Sequence, residues 1–367
     1  MNKTFQIFHG LIVIAVGILL SGCAAAPFSI EKVEFQGCVW NQSHNRACII
    51  SQDGGQSFAV PGGAVWTFGD TFLGKRDAEG VPHFKGGGIF CSIAFLPEKE
   101  KSFPPALRYK VGPDDIAASP LSLLPGEQKG VHMIWPLGGI YAGGKCYLYY
   151  NLIEKTGNGA WDFKEAGSGL AVSREPLGHY ERLQPGNSWR FPVSPSQIIR
   201  QGPWLYLYEI INRDGKMGAA LARVRLEEVE NPNAYEYYNQ PNHSFSREKS
   251  AQSIIVPAAG QVSVVFNPYC NGWLLAASSD LFHPRLISFY FSPVPEGPWR
   301  SIGEIRAPQK CQGKKVKLVY CTFMHPELFK ENGKVVNITF SVHLENGGFD
   351  VNCEMAEITL ARNQPQH

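Results

Sequence analysis

Apolar and polar positions alternate along most of this chain in short runs rich in Val, Ile, Phe, Tyr and Trp, each cut off by Gly, Pro or Asn. A period of two bounded by turn residues predicts strands, and helical spacing is confined to short stretches in connections. One hairpin pattern recurs five times: "GGQSFAVPGGAVWTFGDTF", "MIWPLGGIYAGGKCYLYYNLI", "FPVSPSQIIRQGPWLYLYEII", "VSVVFNPYCNGWLLAASS" and "FMHPELFKENGKVVNITFSVH". Each combines a strand, a tight turn (Gly62-Gly63, Gly143-Gly144, Gly202-Pro203, Asn271-Gly272, Asn332-Gly333) and a second strand of large apolar residues. Further strand pairs follow most of them, such as "GSGLAVSRE" with "YERL" and "RLISFYFSP" with "WRSIGEI". With turns about 59 to 81 residues apart, the pattern predicts an all-β fold, a five-bladed β-propeller of four-stranded antiparallel blades. A β-sandwich is the alternative, but five similar hairpins fit it poorly. The propeller is placed at residues 37–362. Residues 23–36 then serve as a linker in which "SIEKVEFQG" adds the outer strand of the last blade and closes the ring.

In an antiparallel hairpin, facing positions have numbers that sum to a constant set by the turn. A turn centred near Pro61-Gly62 gives about 123 or 124, so Asp53 and Asp70 are expected side by side at the open end of blade one. The same sums put His132 opposite Glu154, Trp135 near Asn151, and Glu209 opposite Pro195 with Ser194, Ser196 and Gln197 close by. Blade four would bring Gln261 and Ser263 near Ser279 and Asp280. Blade five would bring His325 and Glu327 to the entry of its inner strand, across from Thr339 and Asn337. Equivalent blade ends converge on one mouth of the channel, so acids, histidines and an indole would share it.

That set suits glycoside hydrolysis: crowded carboxylates push one pKa up to supply an acid, a second acts as base or nucleophile, and an aromatic ring stacks on the sugar. The expected catalytic residues are Asp53, Asp70, Glu327 and Glu209; the expected substrate contacts are Trp135, His132, Asn151, Gln197 and His325. Each has a plainer reading. An Asp before Gly-Gly also suits a turn, Glu209 also suits a buried pair with Arg200 or Arg213, and Trp66, in mid-strand, reads as core.

Composition narrows the partners. With 34 Lys and Arg against 32 Asp and Glu, and no basic run among aromatics, nucleic acid is excluded as a partner. The start, "MNKTFQIFHGLIVIAVGILLSGCAAAP", has Lys3 ahead of an apolar core, Leu11 to Leu20, too short to span a bilayer. Its Leu20-Ser21-Gly22-Cys23 resembles the lipobox of bacterial lipoproteins. That resemblance implies a signal peptide over residues 1–22, acylation of Cys23, and export to the cell envelope, at the outer membrane in a Gram-negative cell. Apart from Cys23 there are eight cysteines, an even number compatible with disulfides, and no Cys/His pattern for zinc. No cofactor or catalytic metal is implied, a calcium ion in the channel stays open, and a monomer is expected.

"DGGQSFAVPGGAVWTFGDTFLG" resembles the signature of a bacterial and fungal family long labelled a domain of unknown function, in which "DG..S......G..LW.FGDT" opens a five-bladed propeller. Weaker similarity runs through "GGKCYLYYNL", "WDFKEAGSGLAV", "VVFNPYCNGWLL", "SPVPEGPW" and "YCTFMHPEL". Some actinobacterial members are endo-D-arabinanases acting on cell-wall arabinan. The resemblance implies an active-site role for Asp53 and Asp70, which match the motif's two acids. "PSQIIRQG" departs from expectation, with a glutamine where a third carboxylate would stand. The leading expectation is a surface-anchored glycoside hydrolase acting on an arabinan-like polysaccharide. A non-catalytic glycan-binding propeller and an assembly lipoprotein are the other classes.

Overall fold

The computed structural model describes residues 26–39, 47–77, 82–100, 102–159, 161–278, 286–345 and 351–364. Residues 1–22, expected to be a signal peptide, and Cys23, Ser279 and Asp280 lie outside them. The strands form five antiparallel sheets, and the sheets are the blades of a five-bladed β-propeller. The inner strands are Ile49–Val60, His132–Ala142, Pro195–Gln201, Ala259–Asn267 and Lys314–Met324. Each touches the next, and the fifth returns to the first.

Because every blade is covered on both faces by its neighbours, its middle strands are apolar on both sides. Lys145–Lys155, "KCYLYYNLIEK", shows this with an unbroken buried run from Cys146 to Tyr150. The core is accordingly split among the blade junctions. Phe58 and Val65 meet Leu148 and Tyr150 between blades one and two, Tyr149 meets Leu207 between two and three, and Tyr208 meets Val264 between three and four. Leu274 meets Phe340 between four and five, and Trp66 meets Met355 between five and one.

The ring closes through the N-terminal strand Phe28–Cys38, which pairs with Val351–Arg362 from Phe28 opposite Arg362 to Cys38 opposite Glu354. The last sheet thus carries the first strand, and an open edge is covered. Blade one is irregular. Its second strand, Gly63–Arg76, runs on past the blade and pairs with Pro82–Ile89, so Asp70 lies well inside a strand instead of ending one. Cys48, Cys91, Cys146, Cys270, Cys311, Cys321 and Cys353 are free thiols.

Candidate functional site

The local sequence around Asp53 builds an irregular strand. Pairing runs in step at Gln52 with Thr71 and at Gln56 with Thr67, but slips at Gly54, which faces Phe68. Gly54 and Gly55 sit at φ of +87° and +97°, values that favour glycine, and a Cβ on Gly55 would lie 2.5 Å from Cys353 Sγ. The Gly-Gly that could have made a turn makes a bulge in mid-strand, a device that re-aims a neighbouring side chain. On the facing strand, a Cβ on Gly69 would lie 2.6 Å from Asp53 Oδ1, so the missing side chain leaves room for the carboxyl.

The two acids meet there. The Asp70 backbone N–H donates to Asp53 Oδ1 at 2.8 Å, the Tyr320 hydroxyl donates to Asp53 Oδ2 at 2.8 Å, and Trp135 Nε1–H donates to Asp70 Oδ1 at 3.0 Å. Burial, and then the charge of Asp70, push the Asp53 carboxyl up to about 8. Burial raises Asp70 to about 6, with the Trp135 N–H and the Lys155 charge pulling against it. As whole residues, Asp53 and Asp70 are half-buried. Near neutral pH the pair therefore holds about one proton.

Asp53 lines a cleft of about 380 Å³ at the channel mouth, together with Trp135, Asn151, Glu165, Ser194, Gln261 and Tyr320. That volume falls within the range of roughly 300–1,000 Å³ usual for small-molecule sites. Blade two supplies a polar wall. Asn151 Nδ2 donates to Glu165 Oε2 at 3.1 Å, and Asn151 Oδ1 accepts from the Ser168 and Ser194 hydroxyls at 2.8 and 3.3 Å. Across from it, Gln261 Oε1 has no hydrogen-bond partner among the described residues.

The hairpin sums place several residues as expected: His132 faces Glu154, Trp135 faces Asn151, and Pro195 faces Glu209. Trp135 and Asn151 reach the cleft, whereas His132 accepts a bond from the Gln128 backbone at 2.9 Å. Glu209 is buried behind the wall, accepting from the Ser194 N–H at 2.9 Å and from Gln252 Nε2 at 2.9 Å, with neither Arg200 nor Arg213 as partner. Gln197 is also buried, its Oε1 accepting from Ser263.

Blade five corrects the expected placement. Its inner strand begins at Lys314, so His325 and Glu327 follow the strand's end and sit at the opposite end of the channel from the mouth. Tyr320 and Cys321 take the place beside Asp53. His325 is fully buried, stacked on Trp66 at 4.0 Å, with Nδ1 2.8 Å from Ser57 Oγ and Nε2 2.8 Å from Thr339 Oγ1. Burial would raise the Glu327 carboxyl, but bonds from His325 and Ser57 outweigh it and hold the group below its ordinary value. Tyr320 and Glu165 are polar cleft residues that the sequence did not single out. Glu165 arrives through a slip in pairing between Leu152 and Ile153, which hairpin sums miss.

Residues 40–351 match a family described as a domain of unknown function, DUF4185. The chain belongs to the DUF4185 family. Among solved structures, this DUF4185 chain is similar to a protein of Bacteroides ovatus, at 17% identity and a TM-score of 0.58, over 84% of this chain and 85% of that one. It is also similar to a family 43 β-xylosidase/α-arabinofuranosidase from a compost metagenome, at 13% identity and 0.52, over 91% and 100%. A family 43 enzyme of Xanthomonas citri complexed with xylotriose gives 14% and 0.50, over 90% and 93%. These likenesses establish a fold shared with glycoside hydrolase propellers. No curated protein gives a significant match. No group of three or more His, Cys, Asp or Glu side chains suited to a metal ion occurs among the described residues.

Proposed function

We propose that this DUF4185 chain is a glycoside hydrolase that cleaves a polysaccharide, arabinan-like in character, at the propeller mouth. The observation that carries the reading is the Asp53–Asp70 pair, with one carboxyl raised to about 8 and the other to about 6. One acid and one carboxylate then coexist at neutral pH, which is what hydrolysis of a glycosidic bond needs. Asp53, which faces the cleft, gives its proton to the leaving oxygen as the carbon–oxygen bond breaks. Asp70 attacks the anomeric carbon. Water, losing its proton to the Asp53 carboxylate, then displaces Asp70 and restores both groups. The Asp53 carboxyl sits against the Asp70 backbone, 2.8 Å from its N–H, so the two acids lie close together. Close carboxyls suit this double displacement with retention better than an arrangement with water lodged between the acids.

Asn151, Glu165 and the unpartnered Gln261 Oε1 are suited to sugar hydroxyls, while Trp135 holds Asp70 in place. The lipobox-like Leu20 to Cys23 supports tethering of a monomer to the cell envelope, with detergent partitioning of native and Cys23→Ser protein as its check. The hydrolytic reading is tested by reducing-end release from debranched arabinan, arabinogalactan and xylan across pH. The expected kcat/KM profile is a bell, rising near pH 6 as Asp70 ionises and falling near pH 8 as Asp53 loses its proton. Release from none of these polymers, or a profile flat from pH 5 to 9, overturns it.

A further inference from the structure

Trp161 is 65% exposed, the most exposed large apolar side chain among the described residues. Its backbone is nonetheless held. The turn from Thr156 to Asp162 closes on the Asp162 carboxylate, with the Gly159 N–H donating to Oδ2 at 2.7 Å and the Thr156 N–H to the Asp162 carbonyl at 2.8 Å. A single exposed ring needs no explanation, but this one continues a row. Its ring lies 6.3 Å from Phe163, and Phe163 packs edge-on to Trp135 at 5.0 Å. On the other side it lies 6.3 Å from His343 of blade five. Since Trp135 donates to Asp70, the rings form an arc from the acids, past blade one, to blade five.

The division of labour along this arc is physical. Trp135 has its indole N–H committed to Asp70 and one side occupied by Phe163, so it fixes the site more than it offers a free face. Phe163 is half-buried between the two indoles. Trp161 alone presents a large, rigid surface open to solvent, just ahead of the strand Phe163–Ser173 that carries the cleft residue Glu165. The apolar C–H face of a sugar ring is the ligand chemistry that such a surface takes, and a chain leaving the cleft on this side must pass it.

We propose that Trp161, backed by Phe163 and flanked by His343, is an outer sugar subsite that stacks a ring of the glycan chain away from the bond presented to Asp53 and Asp70. The inference rests on the reading that the cleft takes a glycan. It makes substrate length a determinant of affinity, because only a chain that extends beyond the cleft gains the contact.

The experiment compares native, Trp161→Phe and Trp161→Ala chains on a cleaved polysaccharide and on the shortest oligosaccharide of it that is still cleaved. In parallel, Asp70→Asn and Asp70→Asn/Trp161→Ala chains are run in native gels containing debranched arabinan, arabinogalactan or xylan. Trp161→Ala is expected to raise KM for the polymer about fivefold to tenfold with little change in kcat, the size of one aromatic contact. Trp161→Phe should recover most of it, and the loss on the short substrate should be several-fold smaller. Gel retardation of the Asp70→Asn chain should weaken when Trp161 is removed. Equal losses on short and long substrates, or none on either, overturn the subsite and leave the hydrolase reading standing. Trp161-dependent retardation without cleavage by the native chain keeps the subsite and removes the hydrolase. Neither cleavage nor retardation removes both.

Discussion

At the mouth of the channel Asp53 meets Asp70 beside an indole and a phenol; four residues down the same inner strand, Ser57 meets His325 and Glu327 beside another indole. Both clusters join blade one to blade five, yet their acids are perturbed in opposite directions. At the mouth burial raises both carboxyls, and the charge of Asp70 raises Asp53 further, while bonds from neutral donors pull against the rise without overcoming it. At the far end a single carboxyl is enclosed with hydrogen-bond donors that favour its charge, and it falls. Burial is common to both, so the decisive difference is what the acid faces. A second carboxylate poises the first for proton transfer, whereas an imidazole and a hydroxyl fix the charge and make it structural.

The largest expected contrast comes from neutralising one acid at each end. Asp70→Asn should lower kcat/KM by roughly 10²- to 10⁴-fold, the usual scale of a carboxyl acting in proton or nucleophilic chemistry. It should not destabilise the fold. A raised carboxyl contributes stability that is present below its ordinary pKa and is lost as pH rises through the folded value, here from about 4 to about 6, so the amide should raise Tm at neutral pH. Glu327→Gln should do the reverse. Its lowered pKa contributes stability above the ordinary value, and losing the charge inside a buried network should cost about 1–3 kcal/mol with little effect on turnover. Kinetics and thermal melts on both variants check this. Glu327→Gln losing activity as Asp70→Asn does, with Tm unchanged, would break the comparison.

How far this was visible beforehand depended on the turns. Where a hairpin closes tightly, as at Gly143-Gly144 and Gly202-Pro203, the sums located His132, Trp135 and Glu209 opposite their partners. In blade five the two strands are joined by residues 325–334, which hold two short 3₁₀ turns, Pro326–Leu328 and Glu331–Gly333. The loop absorbs the residues read as strand entry, so Tyr320 reaches Asp53 in place of His325. Bulges defeat the count in another way. They left the pairing of Asp53 with Asp70 legible but hid Glu165, because a slip of one residue changes which side chain faces the mouth. The family resemblance carried Asp53 and Asp70 and was silent on the wall opposite them.

An intermediate effect is expected from the space that Gly69 leaves. Gly69→Ala puts a methyl where Asp53 Oδ1 now lies, within 2.6 Å, without requiring a left-handed backbone. The carboxyl must move, and a displacement near 1 Å at a reacting group costs about 10²-fold in rate. Stability should change by less than about 1 kcal/mol, since a side chain and not backbone gives way. Kinetics alongside denaturant unfolding would show whether the bulge serves Asp53 alone: a large stability loss with proportionate activity would make it architectural, like the far end.

The smallest effect sharpens the electrostatic side. Tyr320 donates to Asp53 Oδ2, and that bond favours the ionised form, so it restrains a pKa that burial and Asp70 drive upward. Tyr320→Phe removes the restraint and keeps the ring. Asp53 should then hold its proton to higher pH, and the alkaline limb of the kcat/KM profile should move up. The acid limb belongs to Asp70 and should stay in place. Turnover at the optimum should fall by less than tenfold, the scale of one neutral hydrogen bond. A limb that moves toward acid would mean that the phenol favours the protonated carboxyl, the reverse of what the hydrogen bonds do at Glu327.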